Sequence, residues 1–101
     1  MHRLLFTVLI AGAFAIGGPA LAAGDAAAGK AKATSCAMCH GPEGQGTQMG
    51  SKLAGEDPAK FTAAMNDYKS GKRDNAMMKA QAGQLGADDV ANLAAYYASL
   101  K

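Results

Sequence analysis

Five consecutive residues, Cys36-Ala37-Met38-Cys39-His40, constrain this chain more than anything else in it. Two thiols three residues apart stand one helical turn or one tight loop from each other, and an imidazole follows at once. C-x-x-C-H in this order reads as a site for covalent haem attachment. The thiols can reach two vinyl groups along one side of a porphyrin to form thioethers, and His40 then places its ring beneath the iron. Competing readings of the motif account for less. A redox-active dithiol expects a preceding strand and a βαβ setting, and neither is visible. A closed zinc site needs about four ligands. A disulfide between Cys36 and Cys39 would staple almost nothing.

The compartment follows from the other end of the chain. Arg3 supplies a short positive start, Leu4 to Ile16 is an almost unbroken apolar run, and Ala20-Leu21-Ala22 offers small residues for cleavage. This is the pattern of a secretory signal peptide. The run is short for a membrane span and is followed by Gly17, Gly18 and Pro19, so residues 1–22 are expected to be removed after Ala22 or Ala23. Neither cysteine lies at the junction, so no lipid anchor is expected. Residues 23–101 would form one exported, periplasmic domain with no membrane span after cleavage.

Removal of the leader takes Arg3 from the ten Lys and Arg, leaving nine against eight Asp and Glu, a net charge of about +1. A nucleic-acid binder would need a strongly basic face to displace counterions from phosphates, and this balance excludes one. A mature chain of this size gains only marginal stability from an apolar core alone, so something further must hold it.

Asp25 is a good helix N-cap, and the alanines that follow carry a first helix toward the cysteines. Between Gly41 and Gly55 the chain holds five glycines and Pro42 without a sustained apolar period, which predicts a long loop wrapped around something. Asp57-Pro58 opens a second helix in which Phe61, Met65 and Tyr68 recur at helical spacing until Gly71. A short helix is expected from Asn75 to Gln81, broken around Gly83 and Gly86. Asp88 and Asp89 suit the positive end of a last helix, where Val90, Leu93, Tyr97 and Leu100 share a face widened by Ala94 and Tyr96. No segment alternates as a half-buried strand would. The expected fold class is all α.

A second axial ligand is sought by elimination. His40 is the only histidine of the mature chain, and its methionines are Met38, Met49, Met65, Met77 and Met78. Met38 sits inside the attachment motif, Met65 fits the buried stripe of its helix, and Met49 covers an edge from the loop. Met77 and Met78 remain, one to bind iron and one to pack.

From Asp25 onward the sequence resembles the small class I cytochromes c of bacteria, most closely the cytochrome c553-like group. Gly29-Lys30, Cys36-Ala37-Met38-Cys39-His40-Gly41, Tyr68-Lys69-Ser70-Gly71-Lys72-Arg73, Ala76-Met77-Met78 and Leu93-Ala94-Ala95-Tyr96-Tyr97 carry the likeness. Only the haem motif is specific by itself; the order makes the case. The resemblance implies helices wrapped around one covalent haem c, with crossing first and last helices. There Gly29 would admit an aromatic, Tyr96. It makes Cys36 and Cys39 the thioether anchors, His40 the proximal iron ligand and Met78, rather than Met77, the distal one. One departure stands out: many members have a proline near Gly50-Ser51-Lys52-Leu53 whose carbonyl accepts the imidazole proton, and this chain has none there.

The function implied is that of a soluble monohaem electron carrier, not an enzyme. Imidazole and thioether together leave iron no open position and favour its reduced form. Redox donors and acceptors would dock at an exposed haem edge, where Lys52, Lys60, Lys69, Lys72, Arg73 and Lys79 could form a basic rim, and the protein would be a monomer or weak dimer. Two alternatives belong to other classes: a haem subunit of a larger oxidoreductase, such as a flavocytochrome sulfide dehydrogenase, and a haem enzyme with an open site.

Overall fold

A computed structural model describes residues 24–100, so the expected leader, residues 1–22, lies outside the described residues. Helix α1 (Ala26–Lys32) begins where the Asp25 carboxylate accepts from the Ala27 and Ala28 N–H groups. The chain turns at Ala33 and re-enters a helix, α2 (Thr34–His40). The expected helix toward the cysteines is thus two helices: the segment breaks once at Ala33 and then runs through the whole motif to His40. Gly41 ends α2 with φ +95°, a conformation that side chains rarely adopt.

After the loop, Asp57 caps α3 (Pro58–Ser70) with its carboxylate on the Ala59 and Lys60 N–H groups. Gly71, in the left-handed conformation, closes α3. Asn75 caps α4 (Ala76–Gly83) by accepting from the Met78 N–H, and α4 runs two residues beyond the expected Gln81, taking in Gly83, where nothing crowds the backbone. In α5 (Ala87–Ser99) the Asp89 carboxylate reaches back to the Gly86 N–H, which holds the acidic first turn at the positive helix end. Leu100 lies just past this helix rather than within it.

Helix α5 is the centre of the molecule, with Val90, Leu93, Ala94, Tyr96 and Tyr97 all buried. It packs against α1 and α3, and α3 also packs against α4. The α1–α5 crossing is close because Gly29 has no side chain: a methyl group there would overlap the Asn92 carbonyl and press on Tyr96 Cβ. The Asp25 N–H, donating to Asn92 Oδ1 at 2.8 Å, ties the same two helices. Phe61 from α3 meets Tyr97 at 5.8 Å between ring centroids, and Tyr96 meets Tyr97 at 5.1 Å. All described elements are helical, and among the described residues no helix is long and apolar enough to cross a membrane.

Candidate haem site

Helices α2 and α4 do not pack on each other. Both instead face a cavity of about 700 Å³, within the range of small-molecule and cofactor sites. Helix α2 contributes Cys36, Cys39 and His40; the first turn of α4 contributes Met77 and Met78. Apolar walls come from Leu53, Phe61, Met65, Ala82 and Leu93. Five segments, α2, the loop at Leu53, α3, α4 and α5, thus supply one site, and the residues named by the sequence motif are all present in it.

The cysteines are half-buried on one face of α2, as their spacing of three residues on a helix requires. His40 is buried, and its Nδ1 lies 2.7 Å from the Ser51 carbonyl oxygen. Because a carbonyl can only accept, Nδ1 carries the proton and Nε2 is the nitrogen left available to a metal. The carbonyl expected somewhere in Gly50–Leu53 is therefore that of Ser51, supplied without a proline.

The methionines separate by environment. Met65 is buried in the core, as expected, whereas Met38 and Met49 are exposed. Met77 is 69 % exposed, while Met78 is half-buried and packed against the core. The Asn75 cap on the Met78 N–H fixes the backbone at that turn.

The six basic residues do not behave alike. Lys52 and Arg73 line the cavity, and the Arg73 guanidinium lies 4.7 Å from the centre of the Tyr68 ring. Lys69 is committed elsewhere, donating to the Leu85 carbonyl at 2.6 Å and joining α3 to the α4–α5 turn. Lys60, Lys72 and Lys79 do not line the cavity. Two roles near the site were not assigned from the sequence: the Asn75 side chain as the cap of α4, and Tyr97 as the ring that lies below the loop at Gly44. Burial, with the Cys36 thiol and then Tyr96 beside it, pushes the Tyr97 phenol above its ordinary range. Asn75 ahead of an apolar pair is a cap signal that could have been read; the Tyr97–Cys36 proximity has none.

Residues 19–96 match the family described as cytochrome c oxidase, cbb3-type, subunit III. Cytochrome c4 of Pseudomonas aeruginosa is 41% identical over 102 residues, covering all of this chain and 50% of that protein. Cytochrome c-554(548) of Halomonas halodenitrificans is 38% identical over 81 residues, covering 76% of this chain and 98% of its own length. Among solved structures, the cytochrome c4 of Acidithiobacillus ferrooxidans aligns with a TM-score of 0.71 at 28% identity, over 74% of this chain and 49% of that one. The chain spans about half the length of the cytochrome c4 relatives it matches.

The fold and the relatives define a class I c-type cytochrome. The chain belongs to this family, whose members carry covalently bound haem c. The cavity fits that group: it is large, mostly apolar, and edged by two thiols, an imidazole with one nitrogen committed, and a thioether.

Proposed function

We propose that this chain is an exported, single-haem electron carrier in which Cys36 and Cys39 are the thioether anchors, His40 is the proximal iron ligand and Met78 the distal one. The observation that carries the reading is the convergence of all four side chains on one apolar cavity. Haem c, when bound, supplies a one-electron change at iron.

The protein's residues determine how that change is used. Cys36 and Cys39 hold the group against α2. His40 presents Nε2 because Ser51 takes the proton of Nδ1. The partial burial of Met78 against the core and the exposure of Met77 support Met78 as the second ligand. Two protein ligands leave no open position, which suits outer-sphere electron transfer. The apolar walls exclude water and make the extra charge of oxidised iron costly, so they act with the thioether to favour reduction.

The single C-x-x-C-H motif, Cys36 to His40, supports one haem in this domain. The reading includes cleavage after residue 22 and action in the periplasm, supported by the composition of the leader. Lys52 and Arg73 at the cavity would favour acidic docking faces on redox partners, with encounter rates that fall as salt rises. We expect a monomer or weak dimer.

The test is the absorption spectrum of the mature haem-loaded protein in both oxidation states. Low-spin bands together with the weak far-red band of methionine on ferric iron are expected. A high-spin spectrum lacking that band would overturn the reading.

A further inference from the structure

We propose that Thr47 and Gly50 form a clip that takes over the role of the missing proline: they are positioning residues that hold the Ser51 carbonyl on the His40 ring and thereby adjust the reduction potential. This rests on the reading of His40 as an iron ligand.

Helix α2 ends at His40, so its last carbonyls have no partners within the helix. The loop supplies them. The Gly46 N–H donates to the His40 carbonyl at 2.8 Å, and the Thr47 hydroxyl donates to the Cys39 carbonyl. The same hydroxyl accepts from the Met49 N–H at 3.1 Å, and the Thr47 N–H donates to the Gly50 carbonyl at 2.8 Å. Residues 46–50 therefore form a closed turn anchored on the carboxyl end of α2, through one side-chain hydroxyl.

Gly50 completes the clip by having no side chain. A Cβ at this position would lie 2.7 Å from the Cys39 carbonyl oxygen and 2.8 Å from His40 Nδ1. Only glycine lets the backbone pass this close to the ring, and the next carbonyl, that of Ser51, is the one at 2.7 Å from Nδ1. A proline at the carbonyl-bearing residue would restrict the backbone by fixing φ. Here the restriction comes from outside that residue, through Thr47 on one side and contact with the ring on the other.

The consequence for redox behaviour follows from the hydrogen bond. A carbonyl that draws on the Nδ1 proton makes the imidazole a stronger donor through Nε2, which stabilises oxidised iron more than reduced iron. Loosening the clip should therefore favour reduction.

The experiment uses the haem-loaded protein with Thr47→Val, which keeps the shape and removes the hydroxyl, with Thr47→Ser as the rescue and Gly50→Ala as an independent break. In Thr47→Val the reduction equilibrium should shift toward the reduced form by about two- to tenfold, and exchange of the Nδ1 proton in NMR should quicken by a similar factor. Thr47→Ser should restore both. An unchanged potential and exchange rate in Thr47→Val, with the low-spin spectrum intact, would overturn the clip while leaving the ligand assignment standing. A wild-type spectrum without histidine and methionine ligation would instead remove the reading on which the clip rests. If Gly50→Ala fails to fold, the Thr47 pair decides alone.

Discussion

The two sides of this small protein are built on opposite principles. Where α1 crosses α5, backbones meet directly: Gly29 lies on the Asn92 carbonyl, Asp25 bonds to Asn92, and no room is left. Where α2 faces α4, the helices stay apart and a cavity of about 700 Å³ separates them. The first side is held by contacts between its own elements. The second is held by a loop, two helix caps and whatever fills the space. The difference shows that the chain completes only part of a core, and that its apolar residues Phe61, Met65, Ala82 and Leu93 serve both the core and the cavity wall.

The comparison is broken most severely by removing haem. The apoprotein would expose those walls, and a domain this small has little stability in reserve. We expect haem-free protein, made by Cys36→Ala with Cys39→Ala, to be largely unfolded. A cooperative thermal transition in that protein would show that the α1–α5 side folds independently.

Met78→Ala tests the open side without emptying it. It should admit carbon monoxide to iron and lower the potential, whereas Met77→Ala, at an exposed position, should change stability by no more than about 0.5 kcal/mol and leave ligand exclusion intact. If the two variants exchange behaviour, the distal assignment moves to Met77.

The closed side is tested by Gly29→Val. With the Asn92 carbonyl in its way, the added side chain should cost about 1–3 kcal/mol by overpacking. In a domain of this size each kcal/mol corresponds to a fall of about 4–8 °C in Tm. A Tm within experimental error of wild type would mean that the crossing is looser than its geometry indicates.

The smallest effect concerns Tyr97, buried on α5 beside Phe61 and the Cys36 thiol. Its phenol is held above the ordinary value of 10.0 chiefly by burial, so the folded state keeps the proton more tightly than the unfolded chain. The associated stability is fully present below about pH 10 and is lost as pH rises from there toward the folded value. Tyr97→Phe should flatten this alkaline decline in Tm measured across pH. An equal decline in both proteins would assign it to other groups.

Much of the site could be read in the chain because its chemistry is written in adjacent residues. Cys36, Cys39 and His40 form one motif, and the periods of Phe61–Met65 and Val90–Leu93–Tyr97 mark buried faces that the structure bears out. Asp25 and Asp57 announced their helices through the shortage of partners for first-turn N–H groups. Boundaries were harder. The chain breaks at the buried Ala33, and α4 runs through Gly83, and neither boundary has a local signal in the sequence.

The identity of the basic residues was legible, but their employment was not. Lys69 looks like Lys52 in the sequence, yet one bonds a carbonyl across sixteen positions and the other lines the cavity. Likewise the chain contains several carbonyls after the haem motif, and nothing local distinguishes that of Ser51.

What the sequence determined by itself is chemistry that depends on neighbours along the chain: the thiol–thiol–imidazole order, the helix starts, the glycine-rich loop and the apolar stripes. Tertiary structure alone decided the acceptor of the His40 proton, the different burial of Met77 and Met78, and the contact of Gly50 with the His40 ring. These depend on distances between segments remote in sequence, and such distances are settled only when the whole chain packs.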